Sequence, residues 1–150
     1  MSSTTPIISV IVPIYNSSKY LRESLDSILN QTLIDIEVIC VDDGSTDESL
    51  LILEDYASQD SRIQILRQEN KGAGAARNLG MTIANGKYLS FLDSDDIFYP
   101  NMLEDAYLNA EKYTSDIAIF GYNKFFDEIS SYSKREYGIS WWSLPKSDVF

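Results

Sequence analysis

Histidine is absent from this sequence of 150 residues, and cysteine occurs only once. Chemistry that depends on an imidazole is therefore excluded. The single cysteine, Cys40, cannot form a disulfide within the chain, and it lies in the apolar run 36–41, where a buried and unreactive side chain is expected. Neither a histidine nor a reactive thiol is thus expected to define the function.

Basic residues are also scarce, because 12 lysines and arginines stand against 23 aspartates and glutamates, which gives a formal net charge of -11. Such an acidic chain is poorly suited to a polyanion, so we expect no nucleic-acid partner. A phosphorylated ligand is not excluded, because a bound metal ion can invert the local field.

The sequence also lacks a long apolar segment. Its N-terminus has neither the basic residues nor the apolar region of a signal peptide, and the run 7–12 is far too short to cross a bilayer. We therefore expect a cytoplasmic chain without a transmembrane segment. Its length fits a single domain, residues 1–150, with a buried core.

Short apolar runs alternate with amphipathic stretches along most of the chain. Runs such as I-I-S-V-I-V and I-E-V-I-C-V are typical of strands that are buried on both faces. Strands that alternate with helices predict an α/β fold, with a mostly parallel central sheet flanked by helices. The predicted strands are 7–12, 36–41, 63–66, 88–92 and 117–120.

Four helices are predicted from apolar spacing and from start signals. The polar residues 16–18 offer N-caps for the first helix, and Ser45 and Glu48 have the spacing of a capping box for the second. The third helix is expected to begin near Ala73, and Pro100 is placed to start the fourth.

After Gly121 the pattern gives way to a stretch rich in tyrosine, serine and tryptophan, without a closing signal. We therefore expect the chain to stop within its domain, as a C-terminally truncated piece. Trp141 and Trp142 fit a sugar-stacking platform, a core position or an exposed surface equally well. The sequence does not indicate the oligomeric state.

An acidic turn, residues 93–96, ends the fourth predicted strand. Asp93, Asp95 and Asp96 are close enough to disfavour one another's ionisation, and a divalent metal held by oxygen ligands relieves that repulsion. An ordinary polar turn explains the same residues. The acidic turn alone does not decide between these two interpretations.

Two further polar turns follow the first and second predicted strands, at residues 13–16 and 42–45. The carboxyl ends of parallel strands lie at one edge of a sheet, and ligands bind there at a point where the strand order reverses. We therefore expect the three turns to share one binding site.

The glycine-rich segment 70–80 matches neither of two common phosphate motifs. Its G-A-G-A-A-R run begins like a dinucleotide fingerprint, but Arg77 stands in the last position and the run does not follow the first strand; no P-loop motif occurs. Arg77 fits either a diphosphate contact or a solvated helix residue. Gly72 and Gly74 fit a purely conformational role.

Four motifs follow one another along residues 7–120. They are P-x-Y-N after the first strand, V-D-D-G-S-T-D at 41–47, N-x-G-x-x-x-A-R-N-x-G at 70–80 and F-L-D-S-D-D at 91–96. Together they resemble the family 2 inverting glycosyltransferases of GT-A fold. The resemblance implies a Rossmann-like fold, a nucleotide-diphosphate sugar as ligand, usually a UDP-sugar, and Mn²⁺ or Mg²⁺ as cofactor.

The resemblance also implies roles for single residues. The P-x-Y-N segment and Asp43 would hold the nucleobase and ribose, whereas Asp93 and Asp95 match the D-x-D pair, which contacts the ribose and the metal that bridges the diphosphate. Asp96 would support this pair. The candidate donor-binding residues are Pro13, Tyr15, Asn16, Asp42, Asp43, Arg77, Asp93 and Ser94, and the candidate metal ligands are Asp93 and Asp95.

Two of these residues have equally simple structural roles. Tyr15 fits packing at the end of a strand as well as stacking on a nucleobase. Asp42 fits a turn residue or a helix-dipole partner as well as a direct ligand contact.

Transfer with inversion needs a carboxylate general base that takes the proton of the acceptor hydroxyl. In the family this base comes well after the D-x-D pair, and we expect it beyond Phe150; Asp127 and Glu128 are candidates by residue type only. The resemblance implies a saccharide or lipid-linked acceptor and glycan assembly at the cytosolic face of a membrane. It does not specify the sugar.

Three other functions use comparable α/β sites. A sugar nucleotidyltransferase needs a glycine-rich and basic loop after the first strand, where this chain has P-I-Y-N. A phosphoacceptor signalling domain needs an acidic pair after the first strand and a lysine after the fifth, where Pro13 and Gly121 stand instead. A nucleotide-sugar-binding module without turnover stays open.

Overall fold

The computed structural model describes residues 5–121 and 142–143. The chain divides into two compact units, Met1–Leu103 and Glu104–Phe150. In chain order the elements are β1 Ile8–Ile14, α1 Leu21–Leu29, β2 Ile36–Asp42, α2 Ser49–Gln59, β3 Ile63–Arg67, α3 Ala73–Met81, β4 Tyr88–Phe91, α4 Met102–Tyr113, β5 Ala118–Ile119 and β6 Trp142–Ser143.

The first four strands form one parallel sheet in the order β3-β2-β1-β4. Every residue of β1 and β2 is buried, as expected for central strands that are covered on both faces. The outer strands β3 and β4 are only partly buried. The predicted α/β fold, with a parallel central sheet flanked by helices, is confirmed.

The fifth predicted strand differs from the expectation. Only two of its residues form β5, and among the described residues β5 pairs antiparallel with β6 instead of joining the parallel sheet. The sequence pattern predicted no regular element where β6 lies. A strand of two residues is too short to produce a detectable alternation of polar and apolar residues.

The start of α1 was predicted wrongly. Residues 16–18 were expected to cap it, but the helix begins at Leu21 and its N-cap, Tyr20, makes no side-chain hydrogen bond. The carbonyl oxygen of Ser17 instead accepts the N–H groups of Tyr20 and Leu21, both at 3.0 Å. The side chains of residues 16–18 are therefore available for contacts elsewhere.

The capping box predicted for α2 is also absent. The helix begins at Ser49, and Glu48 at its N-cap makes no side-chain hydrogen bond to the helix end. The carboxylate of Asp47 accepts the Ser49 N–H at 2.9 Å and satisfies the first turn in its place. The other two helices begin close to their predicted starts.

The helix α3 packs on β1 and β2 through small residues. Ala76 joins Ile11, Ile39 and Val41 in a buried core cluster. A Cβ atom on Gly80 would lie 2.6 Å from Cγ2 of Ile11. Because this glycine has no side chain, α3 can lie directly against the centre of the sheet.

The buried carboxylate of Glu37 joins the sheet to the segment after α3. Its Oε1 accepts the Ser9 hydroxyl and the Asn85 N–H, both at 2.6 Å, and its Oε2 accepts the Gln64 amide at 3.0 Å. Burial raises the pKa of Glu37, but hydrogen bonds from Ser9, Asn85 and Gly86 outweigh burial and hold the pKa below its ordinary value of 4.5.

Gly80→Ala is expected to destabilise the fold, although alanine favours helices. The added methyl group clashes with Ile11, so the free energy of unfolding should fall by about 1–3 kcal/mol. Gly74→Ala in the same helix is the matched control, because a Cβ atom there meets nothing within 4 Å. That variant should gain up to about 1 kcal/mol. Denaturant unfolding that moves both variants in the same direction would contradict this packing.

Glu37→Gln is expected to lower the free energy of unfolding at neutral pH by about 1.5–3 kcal/mol, because hydrogen bonds to a charged acceptor are lost. The folded-state pKa lies below the unfolded one, so this contribution is complete above the ordinary pKa and disappears as the pH falls through the folded value. The gap between wild type and variant should therefore narrow in acid. Glu54→Gln, at an exposed position of α2, is the control, and a gap independent of pH would refute the assignment.

Candidate functional site

The three polar turns meet at the carboxyl edge of the parallel sheet. β1 lies between β2 and β4, so the strand order reverses beside it. The Asp43 N–H donates to the Ile14 carbonyl at 2.8 Å, and the Leu92 N–H donates to the Ile11 carbonyl at 3.2 Å. The ends of β1, β2 and β4 are thus adjacent, as the sequence predicted.

The turn after β1 is bound to the turn after β2 through Asn16. Its Oδ1 accepts the N–H groups of Thr46 at 2.8 Å and Asp47 at 3.3 Å, and its own N–H donates to the Ser45 hydroxyl at 3.1 Å. Asn16 has a φ of 49°, in the left-handed region that asparagine tolerates better than most residues. The structure therefore gives Asn16 a role in shaping the site.

Next to Asn16, the side chain of Tyr15 is 48% exposed at the edge of the sheet. Pro13 is buried and lies opposite Val41 in the register of β1 with β2. The exposed tyrosine therefore directly follows the buried end of β1.

Asp42 is fully buried at the end of β2. Its Oδ1 accepts the Ser45 N–H at 3.2 Å, and its Oδ2 lies 3.5 Å from Nε of Arg67. Within the described part of the chain, Oδ2 has no hydrogen-bond partner. Of the roles that the sequence left open for Asp42, this geometry favours the turn residue.

Asp43 binds the loop that precedes α3. Its Oδ1 accepts the Gln68 amide at 2.7 Å and the Lys71 N–H at 2.8 Å, and its Oδ2 accepts the Gly72 N–H at 2.8 Å. Burial raises the pKa of Asp43, but these hydrogen bonds and the charge of Lys71 together lower it below its ordinary value. The carboxylate is therefore ionised at neutral pH and holds the loop in place.

This contact also explains the glycine-rich segment. The Gly72 N–H, at the amino end of α3, already faces the Asp43 carboxylate, so a protein anion occupies the position that a phosphate takes in common phosphate-binding loops. Gly72 has a φ of 88° and Gly44 a φ of 76°, and both belong to backbone turns that other residues adopt with strain. The conformational role considered for Gly72 agrees with this geometry.

The acidic turn after β4 is held at two points. Asp93 forms an ion pair with the guanidinium group of Arg77 on α3. Ser94 is buried, and its Oγ lies 2.6 Å from Oγ of Ser17. The Asp96 N–H donates to the Asp93 carbonyl at 2.9 Å and closes the turn.

Asp95 is exposed, and in the described residues its carboxylate has neither a hydrogen-bond nor an ion-pair partner. Burial raises the pKa of Asp96, and the charges of Asp95 and Asp93 raise it further. The turn therefore carries negative charge that Arg77 only partly offsets.

A divalent cation fits this turn on the chemistry of its oxygen donors. No group of three or more acidic, cysteine or histidine side chains in the described ranges is arranged to chelate a metal. A Mg²⁺ ion typically takes one or two carboxylates and completes its coordination with phosphate and water. Asp95 with Asp93 meets that requirement.

Three residues that position the site were missed by the sequence analysis. The Ser17 N–H donates to the Ser49 hydroxyl at 2.9 Å, and the Ser18 N–H donates to Oδ2 of Asp47 at 3.0 Å. The Ser17 hydroxyl also lies 2.6 Å from Oγ of Ser94, so Ser17 joins the start of α2 to the acidic turn after β4. Ser17, Asp47 and Ser49 are polar residues near helix starts, a signal that predicts capping but not contacts between distant turns.

Some residues named as candidates from the sequence are not part of this edge as described. The structure does not describe Asp127, Glu128 and Trp141. The backbone of Trp142 lies in β6.

None of the described helices combines the length and the apolar character that crossing a membrane requires.

Known proteins share this arrangement of elements. Residues 9–148 match the family model described as Glycosyl transferase family 2. The chain is 47% identical over 120 residues to the glycosyltransferase GlyG of Streptococcus pneumoniae, which covers 79% of this chain and 40% of GlyG. It therefore spans less than half the length of this relative.

Solved structures show the same fold. Residues 1–349 of TarS of S. aureus, in complex with UDP, match with a TM-score of 0.68 and 38% identity, over 73% of this chain and 33% of that piece of TarS. The mannosyltransferase PcManGT of Pyrobaculum calidifontis, in complex with GDP-Man and Mn²⁺, matches with a TM-score of 0.63 and 28% identity, over 76% of this chain and 34% of its own. The GT-A fold is thus confirmed, and the chain belongs to glycosyltransferase family 2.

Proposed function

We propose that this chain forms the donor-binding part of a glycosyltransferase that moves a sugar from a nucleotide-diphosphate donor to an acceptor hydroxyl, with inversion and with the help of a divalent metal. The observation that carries the proposal is the acidic turn after β4, where Asp95, which has no partner among the described residues, and the cation of Arg77 lie at the edge that β1 and β2 also reach. The complexes of TarS with UDP and UDP-GlcNAc support a UDP-sugar as the donor.

The turns after β1 and β2 form the nucleobase wall of the proposed site. The exposed ring of Tyr15 stacks on the base, and Pro13 and Asn16 give the wall its shape. Asp43 accepts a single N–H on Oδ2 in the described part of the chain, and a carboxylate oxygen can accept two. This oxygen therefore has one acceptor position left for an N–H of the nucleobase.

The turn after β4 forms the diphosphate end of the site. A guanidinium group has five N–H donors, so Arg77 can bind phosphate oxygens and Asp93 together. Asp93 and Asp95 would hold a Mg²⁺ or Mn²⁺ ion, which would supply Lewis-acid stabilisation of the charge that grows on the leaving diphosphate. The complex of PcManGT with GDP-Man and Mn²⁺ supports such a metal in this family.

In the transfer itself, the acceptor oxygen bonds to the anomeric carbon while the bond from that carbon to the diphosphate oxygen breaks. A general base takes the proton of the acceptor hydroxyl. Asp93 and Asp95 lie on the side of the leaving group, so we assign the base to neither. We propose a saccharide or lipid-linked acceptor and glycan assembly in the cytoplasm, at the membrane face.

Asp95→Asn is expected to weaken the metal dependence of UDP binding. Mn²⁺ should tighten UDP binding to the wild type. Loss of a metal ligand should lower the affinity for Mn²⁺ by roughly 10- to 100-fold, at least as much as loss of a residue that supports a ligand. Calorimetric titration with UDP, in the presence and absence of Mn²⁺, measures this difference in UDP affinity. Asp35→Asn, an exposed aspartate next to the amino end of β2, is the control. Equal Mn²⁺ dependence in wild type and Asp95→Asn would rule out this metal site.

Asp43→Asn is expected to weaken the binding of uridine, which lacks the diphosphate and so reports on the nucleobase wall alone. Loss of charged hydrogen bonds worth about 1.5–3 kcal/mol predicts a loss in affinity of roughly 10- to 100-fold. Asp55→Asn, in a surface ion pair with Arg22, serves as the control. Unchanged uridine affinity in a folded Asp43→Asn chain would exclude Asp43 from the nucleobase wall.

A further inference from the structure

The backbone that follows the acidic turn, residues 97–103, is held by the carboxyl end of α1. Gln31 is only 5% exposed there. Its Oε1 accepts the Leu103 N–H at 2.9 Å, and its Nε2 donates to the Tyr99 carbonyl at 2.6 Å. One side chain therefore binds two points of this segment.

Two neighbours of Gln31 bind the same segment. The hydroxyl of Ser27 accepts the Phe98 N–H at 3.1 Å. The Thr32 N–H donates to the Pro100 carbonyl at 2.8 Å. The whole of segment 97–103 is thus anchored to a helix end that comes more than sixty residues earlier in the chain.

The side chains at the carboxyl end of α1 also make hydrogen bonds within the helix, which do not depend on these long-range contacts. Ser27 also donates to the Ser24 carbonyl at 2.7 Å, and Gln31 also donates to the Ser27 carbonyl at 3.0 Å. Such bonds within one helix occur equally on α2, where Ser58 and Gln59 both donate to the Asp55 carbonyl, at 2.7 Å and 3.2 Å. Ser27 and Gln31 therefore make their contacts to segment 97–103 in addition to the hydrogen bonds within the helix.

These contacts bear on the position of Asp95. In the described residues its carboxylate makes neither a hydrogen bond nor an ion pair, so the backbone on either side of the acidic turn sets its position. Ser17 and Arg77 hold the side toward β4, through Ser94 and Asp93. A metal ligand has to be kept within about 0.5 Å of its working position, and Gln31 and Ser27 provide the anchor on the other side.

We propose that Gln31 and Ser27 are positioning residues for the metal ligand Asp95. They act through the backbone of segment 97–103 and touch neither metal nor nucleotide. The proposal rests on the proposed function, because it needs a metal at the acidic turn.

The test uses two variants and their matched controls. Gln31→Met removes the amide and keeps the side-chain size nearly constant. Ser27→Ala removes only the hydroxyl, and alanine favours helices. Gln59→Met and Ser58→Ala remove the corresponding bonds to the Asp55 carbonyl from α2, and Gln59→Met also removes a bond to the Asp55 carboxylate. Among the described residues, neither Ser58 nor Gln59 has a long-range hydrogen-bond partner. For each chain, the affinity of Mn²⁺ in saturating UDP and the affinity of uridine without metal are measured, and thermal unfolding is followed in parallel.

Gln31→Met should bind Mn²⁺ about 10-fold more weakly, the lower end of the range for residues that support metal ligands. Ser27→Ala should show a smaller loss, uridine affinity should stay unchanged, and both controls should behave as wild type. If Gln31→Met fails to fold, Ser27→Ala decides alone. Unchanged Mn²⁺ affinity in a folded variant, even with a lower melting temperature, would overturn the positioning role and leave the proposed function standing. Mn²⁺ binding that survives Asp95→Asn would overturn both.

Discussion

The candidate site depends on the carboxylate of Asp43. It is 2% exposed, and three donors from the segment before α3 compensate for its burial. Because this contact fixes the loop, α3 starts at Ala73, at the edge of the sheet, and Gly80 comes to lie against β1. Arg77, on the same helix, then meets Asp93 after β4. One buried charge at the end of β2 therefore organises the cation that faces the end of β4.

The candidate site divides into two parts. In the first, hydrogen bonds of Asn16, Ser17 and Asp47 join the residues that follow β1 to those that follow β2. The second is the acidic turn, where burial and the charges of Asp95 and Asp93 raise the pKa of Asp96, while Arg77 pairs with Asp93. Ser17 joins the two parts through its contacts to Ser49 and Ser94. In the proposed function, these are the parts that bind the nucleoside and the diphosphate.

Much of this arrangement follows from local sequence signals. The apolar runs of β1 and β2 are long and rich in branched residues, so the strands and the α/β class were predictable, and parallel strands place their following turns at one edge. The starts of α1 and α2 were not predictable, because serines that match capping patterns bind partners elsewhere: the Ser45 N–H donates to Asp42, and the Ser45 hydroxyl accepts the Asn16 N–H. Contacts such as Ser17 with Ser94, or Gln31 with Leu103, join residues that are remote in the chain, and no spacing pattern encodes them. The short β6 carried no signal.

In the proposed function, the three turns at the carboxyl edge bind one nucleotide sugar together with a metal at the acidic turn. Diffraction from crystals of the chain soaked with UDP and Mn²⁺, recorded with the anomalous signal of manganese, tests it most directly. We predict one anomalous peak beside the carboxylates of Asp95 and Asp93, with the diphosphate between that peak and Arg77 and the uracil ring against Tyr15. A nucleotide bound away from this edge, or a manganese peak remote from Asp95 with UDP present, would contradict the claim.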